Sequence, residues 1–154
     1  MQHRNNLFDI VVIIICLIQL VGIMVYLLVS WSSIPDQVPG HFSPDGTVTR
    51  WDTKSTLIIP PIISWVLFIG MSVVERFPQV WNTGVRVTEE NQFRVYRAVK
   101  NLIRSTKLVM VMIFTGITLI QSLSQNLPGW FMPVFISLFA VLIVYHIIRL
   151  IMAR

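Results

Sequence analysis

"FDIVVIIICLIQLVGIMVYLLV", Phe8 to Val29, carries a single charged residue, Asp9, in 22 positions. A hydrocarbon core about 30 Å thick is crossed by about 20 helical residues, so this stretch alone directs the chain to a membrane. It is too long for the apolar core of a signal peptide, about 7 to 15 residues, and no small-residue cleavage site follows, so it is expected to remain as an anchor. The rest of the composition agrees. Of 154 residues, 55% are hydrophobic and 12% charged, against about 25% charged in soluble domains. Cys16, the one cysteine, sits within the run; it is expected to be a buried, inert thiol, and no intrachain disulfide is available.

Three further apolar segments follow. The expected spans are about 8–29, 57–74, 108–123 and 130–152, joined by an outer loop over 30–56 and an inner segment over 75–107. The second and third are short and need a turn from their flanks. Pro60 and Pro61 open the second span, where a helix already has unpaired donors and a missing N–H costs least.

Lys and Arg near the membrane ends set orientation. With the N-terminus inside, ten of the twelve basic residues fall on the inner side and only Arg50 and Lys54 face outward. Both termini are therefore expected in the cytoplasm. Trp31 and Trp130 then mark the outer rim and Trp81 the inner one, as an aromatic belt does. The spans contain Gln19, Ser64, Thr115, Thr118 and His146 but no carboxylate or lysine near a midpoint, with Asp9 at the inner rim. Ion-coupled transporters retain charge at that depth, so transport is not expected. His146 is expected to be packed or interfacial.

The outer loop is the chemically unusual part. "IPDQVPGHFSPDGTVTRWDTK", Ile34 to Lys54, holds three prolines, two glycines and three aspartates. Pro35 and Pro39 favour extended backbone in and before themselves, and Ser43 to Gly46 has the Pro and Gly placement of a β-turn. The loop is expected to be ordered and to present His41 and Phe42 between restrained corners. Loops of this length in compact domains are commonly functional. Trp51 can be an interfacial anchor or a ligand contact. His41 with Asp36, Asp45 and Asp52 lacks a recognised metal-ligand spacing, and Ser43 beside His41 does not make an oriented nucleophile and base. No metal, cofactor, enzymatic activity or nucleic-acid partner is expected.

In the inner segment, Thr88 to Lys107 is expected to be an amphipathic helix. Thr88 can cap it, and Glu89 and Glu90 suit its N-terminal dipole. Phe93, Tyr96, Val99 and Ile103 form an apolar stripe, with Arg94, Arg97, Lys100, Arg104 and Lys107 as the basic set. The helix should rest on the inner leaflet or run straight into the third span. Its basic residues suit anionic lipid, each contributing about 1 kcal/mol, or a cytoplasmic partner.

Pro39, His41, Phe42, Gly46, Trp51 and Lys54, followed by Asn82, the run Thr88 to Asn91, and Arg94, Tyr96 and Arg97, resemble the bacterial membrane domain of unknown function found in the N-terminal part of SdpI-like immunity proteins. The likeness covers about 30–107 well and the rest only as apolar spans. Ser43 and Thr49 stand where that family usually has Asn and Asp, and the chain has four spans where the full immunity protein has more. The resemblance implies a multi-pass bacterial cell-membrane protein with a sensing or immunity-like role, its outer residues Pro39, His41, Phe42, Gly46, Trp51 and Lys54 meeting an exported peptide or a membrane-protein partner. The alternative is an accessory subunit of a larger membrane complex such as an exporter. The expected fold class is all-α, with four spans, an ordered outer loop and an inner amphipathic helix.

Overall fold

The computed structural model describes residues 7–153. Helix α1 (Leu7–Ser30) ends in a short 3-10 turn, and strands β1 (Gln37–Phe42) and β2 (Val48–Thr53) follow. A second 3-10 turn leads into α2 (Ile59–Val74); then come α3 (Gln92–Ser122) and α4 (Phe131–Met152). Four helical segments are long and apolar enough to cross a membrane. Helix α3 is the hub: it packs against α1, α2 and α4.

Why these helices need a bilayer is visible in what each one buries. In α1 the buried side chains are Asp9, Val12, Cys16, Leu20, Ile23 and Leu27, spaced by threes and fours along one narrow stripe. The remaining Ile, Leu and Val of α1 are largely exposed, as are Val66, Ile69, Val141 and Val144 on α2 and α4. Meanwhile Asp9, Ser64, Arg104, Lys107 and Thr118 are buried. Water-soluble monomers do not expose contiguous apolar surface on this scale; lipid is the solvent that suits it. Helix α4 buries only Phe131 and His146, so it attaches as an outrigger to α3.

One core cluster joins Val12, Cys16 and Leu20 of α1 to Phe68 of α2 and Val111 of α3. A second, at the opposite end of α1, joins Leu27, Ile34, Val38 and Leu57 beneath the strands. Interhelical polar contacts lie between them: the Thr115 hydroxyl donates to Gln19 Oε1 at 3.3 Å, and the Tyr26 and Ser122 hydroxyls meet at 3.0 Å. With the Asp9–Arg104 ion pair, these contacts are polar links between α1 and α3, of the kind that orient helices in lipid.

One sequence expectation changes. The fold is not purely α, because the loop over 30–56 is built on an antiparallel β-hairpin pairing Gln37 with Thr53, Val38 with Asp52 and Pro39 with Trp51. The physical reason is that extended Pro-flanked backbone on one side of a turn meets a segment rich in strand formers, Val48, Thr49, Trp51 and Thr53, on the other. Helix α3 is continuous over 31 residues, about 46 Å, so the inner amphipathic segment runs straight into the third apolar segment. Two of its basic residues, Arg104 and Lys107, are buried and paired with acids at one end of the bundle. Pro60 and Pro61 do sit at the start of α2.

Candidate functional site

At one end of the bundle the hairpin is fastened rather than free. The turn Ser43 to Gly46 closes with the Gly46 amide donating to the Ser43 carbonyl at 2.9 Å. Asp45 accepts from the Ser43 hydroxyl, from the Thr47 amide at 3.0 Å and from the Thr47 hydroxyl at 2.8 Å. Those hydrogen bonds, the Ser43 one foremost, hold the Asp45 carboxyl down at about 2, since each favours the charged form. Gly46 has φ +89, and a Cβ there would strike the Leu127 carbonyl. Only glycine accepts both demands.

The connector between α3 and α4 supplies the clamp. The Leu127 amide donates to the Gly46 carbonyl at 2.9 Å; the Val48 amide donates to Asn126 Oδ1 at 3.0 Å. Gln121 Nε2 donates to the Pro39 carbonyl at 2.8 Å, and the Ser124 hydroxyl to the Gln37 carbonyl at 3.2 Å. Ser124 itself has φ +53, a left-handed residue just past the α3 C-terminus of the kind that ends helices.

The sequence-selected residues divide by this geometry. Pro39 and Gly46 are buried, and Phe42 is half-buried. Lys54 is turned inward: its ammonium is 3.2 Å from Asp36 and 5.6 Å from the Trp31 ring centroid, so it locks the base of the hairpin. His41 and Trp51 are exposed. Strand alternation puts Thr49 and Trp51 on one face and Arg50 and Asp52 on the other. His41 Nδ1 is 2.6 Å from Thr49 Oγ1, giving an outward surface of imidazole, hydroxyl and indole. Thr49 thus makes a polar contact to His41. On the second face Arg50 pairs with Asp52 at 2.9 Å.

The opposite end of the bundle holds a group that reading along the chain did not assemble. Arg104 pairs with Asp9 of α1 and with Glu75 at the end of α2. Lys107 Nζ is 3.0 Å from Glu75 Oε2, donates to the Ser72 hydroxyl at 3.0 Å, and lies 5.2 Å from the Phe68 ring centroid. All four charged side chains are at most 9% exposed. Two acids and two bases cancel, which is how charge survives at such burial. Arg104 and Lys107 are accordingly not part of a lipid-facing surface. The signal was available: they are three residues apart, hence on one helical face, and Asp9 and Glu75 lie at that same end.

The other basic residues of α3 stay outside this network. Lys100 is half-buried, and Arg94 and Arg97 are exposed beside the end of α4. The segment before α3 is shaped locally: the Thr88 amide donates to Asn91 Oδ1 at 2.8 Å and the Asn91 amide to the Thr88 hydroxyl at 3.3 Å. This reciprocal pair works as a capping box with Asn in the usual Glu or Gln position. Trp81 anchors the preceding loop, its indole donating to the Val74 carbonyl at 2.7 Å and its ring standing edge-on to Tyr96. Among the described residues, no group of three or more His, Cys, Asp and Glu side chains is arranged to hold a metal ion.

Residues 11–64 match a known family described as Domain of unknown function (DUF1648). The matched part takes in most of α1, the hairpin and the first turns of α2. No curated protein and no solved structure matches the chain.

Proposed function

We propose that this is a non-enzymatic bacterial cell-membrane protein with a sensing or immunity-like role, whose hairpin recognises an exported peptide or membrane-protein partner outside the cell. The observation that supports it most is the clamped hairpin, which holds His41, Thr49 and Trp51 outward on a backbone fixed at the turn, the base and the connector. A rigid polar and aromatic surface lowers the ordering cost of binding. The family match covers this same region. Helix α3 links the clamp at Gln121 to the buried charges at Arg104 and Lys107, so a ligand that strains the hairpin has a stiff element on which to act. With eight of the ten basic side chains among the described residues away from the hairpin, the positive-inside rule favours the hairpin outside and the termini in the cytoplasm.

The test is growth protection by cells expressing the protein under challenge with exported toxic peptides, normalised to inserted protein. His41→Ala and Trp51→Ala should abolish protection at near-normal abundance, because exposed substitutions seldom cost more than about 0.5 kcal/mol in folding. Impermeant labelling of cysteines placed at Thr47 and Glu90 should mark the first from outside and spare the second. Full protection in both alanine variants refutes recognition by the hairpin. The alternative, an accessory subunit of a larger membrane complex such as an exporter, is favoured by the large apolar face left open on α4; it predicts stoichiometric copurification in mild detergent and no protection by the protein alone.

A further inference from the structure

We propose that the cavity between the first turns of α3 and the last turns of α4 binds the phosphate group of an anionic membrane lipid. It encloses about 260 Å³ and is lined by Arg94, Arg97 and Asn101 from α3 and by Tyr145, His146 and Arg149 from α4. Arg94, Arg97 and Asn101 follow one another at three- and four-residue intervals, so one face of α3 carries them all. Lys100, Arg104 and Lys107 do not line it.

The basic residues of the cavity and those of the buried cluster differ in how their charge is balanced. Arg104 and Lys107 are neutralised by Asp9 and Glu75. Among the described residues, none of the guanidinium groups of Arg94, Arg97 and Arg149 forms an ion pair with a carboxylate. Three like charges converging on one concavity repel one another and raise the local potential for an anion. Guanidinium forks match phosphate oxygens in geometry as well as in sign. Arg97 is steadied over the Phe93 ring, 5.5 Å from its centroid. His146 forms the floor, buried, with Nε2 3.2 Å from the Ser105 hydroxyl, and Asn101 and Tyr145 add neutral hydrogen-bonding groups.

A free phosphate would satisfy the arginines equally well, but the surroundings favour a lipid. Phe93 and Met152, in the cavity lining beside the arginines, are 54 and 71% exposed. Acyl chains attached to a bound headgroup would cover them. Basic pockets between membrane helices are established headgroup sites in general.

The experiment uses the full chain, delipidated and returned to phosphatidylcholine nanodiscs doped with phosphatidylglycerol or with a two-phosphate diphosphatidylglycerol, with retained lipid read by native mass spectrometry. The expected result is retention of the anionic lipids, strongest for the two-phosphate one. The triple variant Arg94→Gln, Arg97→Gln, Arg149→Gln should weaken it at least about tenfold, given about fivefold per basic residue. A charge-matched triple, Arg76→Gln, Arg86→Gln and Lys100→Gln, should keep it. Equal losses in the two triples would mean diffuse attraction and overturn the site. Displacement of the lipid by millimolar inorganic phosphate, itself bound with the same arginine dependence, would assign the cavity to a soluble anion and overturn the lipid. Should the arginine triple fold poorly in phosphatidylcholine alone, the single Arg149→Gln variant at an exposed position carries the same comparison, and unchanged retention there refutes the proposal.

Discussion

Replacing Glu75 by Gln removes the carboxylate that Arg104 and Lys107 share. Asp9 still faces Arg104, but Lys107, 1% exposed at its side chain, keeps only the Ser72 hydroxyl and the Phe68 ring as company. The cluster then carries one uncompensated positive charge. Stranding one member of a buried ion network costs about 3–5 kcal/mol, a large part of the roughly 5–15 kcal/mol that holds a domain folded. Lys107→Met alone leaves one negative charge in excess and should cost a similar amount. Combining the two substitutions restores neutrality, with Asp9 and Arg104 still paired and an amide beside a thioether where the second pair of charges stood. The double variant should therefore recover a substantial part of the summed loss, a coupling of about 1.5 kcal/mol or more within the range of contacting residues. Denaturant titration of the purified protein in mixed micelles reads all four corners of the cycle. A Glu75→Gln cost below about 1 kcal/mol, or a double variant equal to the sum of the singles, refutes the view that the charges hold one another in place.

Gly46→Ala should loosen the hairpin by about 2–3 kcal/mol, from about 1–2 for positive φ and about 1 for the lost Leu127 bond; Gly84→Ala, with φ +65 and open space around its Cβ, should show only the first part. Hydrogen exchange at the Leu127 amide checks this, and equal exchange in the two variants would count against the clamp. For Asp45, the folded carboxyl titrates at about 2, below its ordinary 3.8, so its contribution to the turn is complete above about pH 4 and is lost as pH falls toward 2. Trp51 fluorescence followed from about pH 5 to 2 should report loosening only at the acid end, and Asp45→Asn should flatten that dependence.

How far the chain could be read depended on whether partners were close in sequence. Phe8 to Val29 announced its span because periodicity and length are local properties. The β-turn at Ser43 to Gly46 and the helix start at Pro60 and Pro61 were legible on the same ground. The pairing of Val48–Thr53 with Gln37–Phe42 was less so, because Pro39 and Gly40 argue against a strand until the opposite arm is seen. Hardest was the inward turn of Arg104 and Lys107, which requires Asp9 and Glu75 from about 95 and about 30 residues away. The Lys54 ion pair with Asp36 was hidden in the same manner, since the two meet only once the hairpin has formed.

The hub position of α3 bears on how the protein is made. Arg104 and Lys107 leave the ribosome after Asp9 and Glu75, so the acids wait in the bilayer for bases that arrive later. A buried charge costs several kcal/mol in isolation, and neither α1 with α2 nor α3 alone balances the charges of this cluster. Insertion is thus expected to commit as a three-helix unit at the moment α3 reaches its acids, with the hairpin clamped only after the connector following α3 has emerged. Helix α4 takes no part in that commitment and can join last, which makes it the segment most readily exchanged for a different neighbour during biogenesis.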